Sequence, residues 1–244
     1  MIKHVEILNN QGNTLRGYLN IPDGANHIVV MYHGYTGNKT EHNGFFRTMS
    51  RELAKLNIAS LRMDYGCNGE SDGEFKDFTF DQAINDSKLM IDYASEVENI
   101  TKVSLLGFSM GGAIAALVCN YKTIAGVLLW SPAGELAKNL RYRFDVSPKL
   151  ENGNVYSPGF ELNENLITTM EKFDFYSEAP KFKNPVFIIH GTNDKSVDYL
   201  KGVEYSVKFP NANIHLVDKS GHGYDDFQSA NELITRSIKF LKNL

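Results

Sequence analysis

The sequence predicts an α/β fold: a mostly parallel sheet of about eight strands flanked by helices, with an inserted lid. Three observations predict it. Short apolar runs alternate with segments of helical period along most of the 244 residues. Several of those runs, such as Ile28–Tyr32, Val127–Trp130 and Val186–Ile189, are apolar on both faces, as strands buried between two helical layers must be. The composition, 42% apolar and 22% charged, is that of a globular chain long enough to bury a full core.

The elements follow in order. Val5–Leu8 and Leu15–Ile21 are separated by the turn-forming stretch Asn9-Asn10-Gln11-Gly12-Asn13 and read as an antiparallel hairpin that opens the sheet. Ile28–Tyr32, Ala59–Arg62, Val103–Leu106, Val127–Trp130, Val186–Ile189 and Ile214–Val217 supply six further strands. Phe80, Ile84, Ile91 and Ala94 recur at helical spacing, with Asp81 and Asp86 near the end where the helix dipole favours anions. At the C-terminus Phe227, Ala230, Leu233, Ile234, Ile238 and Leu241 form one stripe, predicting a helix that closes one face of the sheet. Residues 132–185 break the rhythm: they hold Pro132, Pro148, Pro158, Pro180 and Pro185 and show no clear strand. Their aromatics, Tyr142, Phe144, Tyr156, Phe160, Phe173, Phe175 and Tyr176, are too many for a solvated linker. This predicts a lid over residues 132–185 inserted into a core made of residues 1–131 and 186–244. Tyr142, Phe144, Phe173 and Tyr176 are its candidate substrate-binding residues; the alternative is that such rings only pack the lid onto the sheet.

Charge and composition narrow the partners. Lys and Arg number 25 against 29 Asp and Glu, a net charge of −4, with no basic block to match a run of phosphates. Nucleic acid is not expected. No apolar run approaches the ~18 residues of a membrane span, so no membrane partner is expected either. The alternating start Met1–Ile7 lacks the continuous apolar stretch of a secretory signal, which leads to a cytoplasmic expectation. Cys67 and Cys119 make neither a disulfide framework nor a metal pair by spacing. The scattered histidines imply no metal, and no phosphate cradle or other cofactor motif is seen. A small-molecule substrate is the expected partner, and a homodimer stays open.

The chemistry concentrates at Gly107-Phe108-Ser109-Met110-Gly111, which follows an apolar strand and precedes the helix-forming run Ala113–Val118. A sharp strand-turn-helix of this kind exposes its serine at a helix N-terminus, provided the neighbours are small. A serine hydroxyl needs a histidine base and a carboxylate to orient that base. His222 lies in the loop Lys219–Tyr224 after the last strand, whereas His215 is inside that strand. Asp194 hangs from the C-terminal end of Val186–Ile189, where open sheets build sites. Asp198, four residues on, reads better as a helix cap. Backbone amides at Tyr35, in Tyr32-His33-Gly34-Tyr35-Thr36-Gly37, and at Met110 are the candidate oxyanion donors. His33 is read as supporting that loop.

The order Ser109, Asp194, His222 with His33-Gly34 upstream resembles the α/β-hydrolase superfamily across nearly the whole chain. Tyr32–Asn38, Asp64-Tyr65, Gly69–Phe75 and a lid of this length are similar to the bacterial cinnamoyl and feruloyl esterases, a group related to monoacylglycerol-lipase-like and serine-aminopeptidase-like hydrolases. The resemblance implies a triad of Ser109, Asp194 and His222 and an oxyanion hole at Tyr35 and Met110. It also implies that the loop around Asp64 and Asp72 braces the site. Two departures stand out: Phe108-Ser109-Met110 replaces the usual His-Ser-Gln, and Cys67 stands where a glycine is usual. The expected function is carboxylic-ester hydrolysis through an acyl-enzyme, as in a cinnamoyl or feruloyl esterase. Thioester cleavage or acyl transfer on the same scaffold, and a ligand-binding module without turnover, are the alternatives.

Overall fold

β1 (Ile2–Leu8) and β2 (Thr14–Asn20) pair antiparallel, Ile2 opposite Asn20 and Leu8 opposite Thr14. Their turn is held by Asn9, whose Oδ1 accepts the N–H groups of Gln11 and Asn13, the local bonding that makes Asn a turn residue. The structure is a computed structural model that describes residues 1–157 and 159–244. Pro158, one of the prolines counted in the insertion, lies outside the described residues.

β3 (His27–Tyr32), β4 (Ile58–Met63), β5 (Lys102–Phe108), β6 (Val127–Trp130), a short pair β7 (Val155–Ser157) and β8 (Phe160–Leu162), then β9 (Val186–Gly191) and β10 (Ala212–Val217) follow. The main sheet runs β1-β2-β4-β3-β5-β6-β9-β10 and is parallel from β4 onward. It is the expected eight-stranded, mostly parallel sheet. All six residues of β3 are buried, which explains why that run is apolar without alternation. From β3 the chain goes to β4 on one side and, later, to β5 on the other. The crevice beyond the ends of β3 and β5 is therefore the sheet's switch point, where open α/β sheets bind ligands.

α1 (Phe45–Ala54) and α7 (Phe227–Lys242) cover one face over Val29, Met31, Leu106, Leu128 and Trp130. The Trp130 indole N–H reaches Ser237 of α7 at 2.9 Å. α2 (Phe80–Glu96), α3 (Met110–Val118) and α6 (Tyr199–Lys208) cover the other. Phe227 corrects the predicted stripe: it is 87% exposed, because it is the first residue of α7 and the helix meets the core only from Ser229 onward.

Residues 132–185 hold α4 (Leu136–Val146), β7, β8 and α5 (Glu164–Met170). The β7–β8 pair is a strand pair the sequence reading missed, since three residues per strand are too few to display an alternation. Arg141 of α4 bonds Glu164 and Glu171, and four of the segment's rings pack inward: Phe160 on Phe75, Phe173 and Phe175 on Phe80, Tyr176 on Tyr205.

Candidate active site

Ser109 sits between β5 and α3 with φ 55° and ψ −117°, a conformation costly for a residue with a Cβ. Two glycines make the turn possible. A Cβ on Gly107 would overlap the Gly111 carbonyl, and one on Gly111 would overlap the Tyr32 carbonyl, so strand and helix could not approach so closely with any other residue. The backbone holds the turn from both sides, Ser109 N–H donating to Trp130 O and Ser109 O accepting from Ala133 N–H. Ser109 opens into a cleft of about 600 Å³ lined by Gly34, Tyr35, Phe108, Asn193 and His222 among others.

The loop after β3 forms the opposite wall. His33 is fully buried; its Nε2 accepts the Tyr65 N–H and its Nδ1–H donates to Gly34 O, so the ring ties the loop to Tyr65 as expected. Burial pushes the His33 ring toward its neutral form, which is the form that can accept that N–H. Gly34 N–H donates to Glu41 Oε2 at 2.7 Å and Gly37 N–H to Gly34 O at 3.0 Å. With those amides engaged, the Tyr35 and Met110 N–H groups are left without an acceptor among the described residues; Tyr35 lines the same cleft as Ser109, and Met110 follows Ser109 as the first residue of α3. The Tyr35 ring lies against Phe75, and burial raises its hydroxyl to about 12.

Asp194 and His222 come from the loops after β9 and β10. His222 Nδ1 is 2.6 Å from Asp194 Oδ2, and the ring rests on Phe108 at 4.9 Å between centroids. Asp194 Oδ1 accepts the N–H groups of Ser196 and Val197. Burial would raise this carboxyl, but the His190 and His222 contacts and the Val197 N–H outweigh it and hold it well below the usual carboxylate range. It is an anion at neutral pH. Asp198 instead caps α6, accepting Leu200 N–H, and His215 pairs with Glu232 at 2.7 Å.

Ser109, Tyr35 and His222 thus line one cleft, with Met110 next to Ser109 in the chain and Asp194 hydrogen-bonded to His222; Ser109 and His222 make no direct hydrogen bond. None of the four lid aromatics, Tyr142, Phe144, Phe173 and Tyr176, lines this cleft. Tyr142 is 71% exposed on α4, Phe144 lies under the Lys149 ammonium, Phe173 packs on Phe80, and Tyr176 donates to Glu204. Phe144, Phe173 and Tyr176 pack on the core, and Tyr142 stays on the surface. Four residues escaped sequence reading. Glu41 fixes the Gly34 amide, His190 touches Asp194, and His42 with Asp225 joins the Tyr35 loop to the His222 loop at 2.7 Å. Only His190 left a signal, as the single polar side chain in an otherwise apolar strand. Among the described residues no cluster of three or more His, Cys, Asp or Glu could hold a metal ion, and no helix is long and apolar enough to cross a membrane.

The sheet order, the strained serine turn and the loops that converge on it define an α/β hydrolase. The sequence matches the serine aminopeptidase S33 family over residues 23–170, more than half of the chain, and the protein belongs to that family of hydrolases. No curated protein matches the sequence. Among solved structures, Est1E from Butyrivibrio proteoclasticus with ferulic acid bound is 22% identical, with a TM-score of 0.80 over 98% of this chain and 96% of that one. The Pyrococcus furiosus esterase Pf2001 is 22% identical at a TM-score of 0.77, covering 100% and 91%. The α/β hydrolase GrgF from Penicillium sp. sh18 is 15% identical at 0.82, covering 100% and 98%. At these identities the likeness is one of fold.

Proposed function

We propose that this hydrolase is a serine carboxylesterase. Ser109 Oγ attacks the acyl carbon while His222 Nε2 takes its proton, and the alkoxide oxygen of the tetrahedral intermediate is met by the Tyr35 and Met110 amides. The imidazolium returns the proton to the leaving alcohol. Water, deprotonated by His222, then releases the acid from the acyl-enzyme. The observation that carries the reading is the 2.6 Å contact of His222 Nδ1 with the buried, ionised Asp194. It commits the Nδ1 proton to the carboxylate and leaves Nε2 as a base in the cleft that holds Ser109.

The cleft wall mixes the rings of Tyr35 and Phe108 with polar side chains such as Asn38, Asn193 and Ser196, which favours a small ester with both apolar and polar parts over a triglyceride. A cinnamoyl or feruloyl ester remains within this class, supported by the bound ferulic acid named for Est1E. We treat residues 132–185 as a lid subdomain that shapes the site through the loops it packs on. A fluorophosphonate probe should label wild-type protein and spare Ser109→Ala, which should lose on the order of 10⁴ to 10⁶ in turnover while keeping its fold. A panel of feruloyl, short aliphatic and thio-esters with an aminoacyl anilide would then rank the substrates. An unlabelled wild type, or Ser109→Ala near wild-type activity, would overturn the proposal and favour a binding module.

A further inference from the structure

His190 is the one polar side chain of β9, and its ring is completely buried. Its Nε2–H donates to Val197 O at 3.0 Å, and the same nitrogen lies 3.3 Å from Asp194 Oδ2, the oxygen that accepts from His222. Its Nδ1 is buried without a partner among the described residues. The proton is therefore on Nε2, where both acceptors are. A second observation concerns α6. Gly202 faces this ring: a Cβ there would stand 2.6 Å from His190 Nδ1, so the helix carries its least helix-prone ordinary residue where the imidazole must fit.

A leucine or phenylalanine would fill such a slot without stranding an acceptor, a defect that costs roughly 1–3 kcal/mol when buried. What only histidine brings is the N–H beside the carboxylate. We propose that His190 is a positioning residue that acts through Asp194: it shares Oδ2 with His222 and so moderates how strongly that carboxylate holds the base. The proposal rests on the triad reading of Asp194 and His222. Oδ1 stays anchored by Ser196 and Val197, so removing His190 leaves the carboxylate in place and frees Oδ2 for His222 alone. A stronger hold favours the imidazolium. The other groups facing this unit are Tyr224, whose hydroxyl donates to Ile189 O, and, at the cleft, Glu41, His42, Lys195 and Asp225; α6 presents the uncharged Gly202.

The test compares His190→Phe, which keeps the bulk and loses the donor, with His190→Gln, which keeps an N–H. The readouts are the NMR titration of the His222 ring without substrate and the pH profile of kcat/KM. In His190→Phe the ring titration and the acidic limb should move together to higher pH, lowering kcat/KM roughly threefold on that limb, and His190→Gln should restore both. A titration unchanged in His190→Phe, with only a lower Tm, would make His190 a packing residue and overturn the proposal. If the variants do not fold, the imidazole ¹⁵N spectrum of the wild type decides it: a neutral ring with its proton on Nε2 supports the proposal, and a proton on Nδ1 overturns it. Because the ring titration needs no turnover, it separates this failure from failure of the esterase reading, which unlabelled Ser109 would report.

Discussion

Two buried aspartates follow strands of the same sheet and end in different company. Asp64, immediately after β4, is fully buried and surrounded by a fixed cation and amides. Lys39 Nζ stands 2.6 Å from Oδ2, Glu70 N–H donates to the same oxygen, and Lys39 N–H donates to Oδ1. Asp194, after β9, has amides on one oxygen and two imidazoles on the other. Burial and charge are alike, and the difference is whether the partner can give up its proton. Lys39 cannot near neutral pH, so Asp64 is a strut that locks the loop after β3 to the loop after β4. His222 can, and that makes Asp194 part of the proposed chemistry. Neither burial nor a carboxylate marks a site without the partner's identity.

Exchange of the carboxylates for amides should break the comparison most sharply. Asp194→Asn should lower kcat by about 10⁴, because an amide can hold the His222 ring in the wrong tautomer, a loss that should far outweigh its cost in stability. Asp64→Asn should do the reverse: stranding the Lys39 ammonium, which is 7% exposed, should cost about 3–5 kcal/mol in denaturant unfolding, with activity per folded molecule largely kept. If Asp64→Asn abolished activity in fully folded protein, the strut would have to be redrawn as part of the site.

The pH profile sharpens the contrast next. Asp194's carboxyl lies below the ordinary range, so its contribution to stability is present above that range and is lost only as pH falls through its own lower value. The acidic limb of log kcat/KM should therefore fall with unit slope, one proton onto His222, down to about pH 4. A slope of two in that window would mean that Asp194 titrates with the histidine. The smallest effect belongs to Asp198. Asparagine is as good an N-cap as aspartate, so Asp198→Asn should leave activity near wild type and move stability by less than about 0.5 kcal/mol. A crippled Asp198→Asn would transfer the acid's role one helical turn along the chain.

Sequence legibility followed the range of the interactions. The central strands were readable because burial on both faces leaves uninterrupted apolar runs such as Val127–Trp130, the opening hairpin because turn formers separate its strands, and the Ser109 turn because its steric demands select glycine at Gly107 and Gly111. Asp198's cap was readable because it bonds two residues away. Glu41, His190 and the His42–Asp225 pair were not assigned, since their partners are set by how loops meet in space. His42 and Asp225 are separated by most of the chain. The lid rings left two readings open for the opposite reason: an aromatic-rich segment signals that something must be covered without saying what, and Phe80, Phe75 and Tyr205 are among what these rings cover.

The strand order also carries a timetable. β3, β4, β5 and β6, with the Ser109 turn, are contiguous in the early chain, whereas Asp194 and His222 hang from β9 and β10, the last strands to be made and the outermost at their edge of the sheet. With synthesis at roughly 5–20 residues per second, Ser109 leaves the ribosome on the order of ten seconds before His222. On the proposed triad, a chain that has made its serine turn still lacks its base until the last strand is in place, so reactivity would come with the completion of the sheet and not before it.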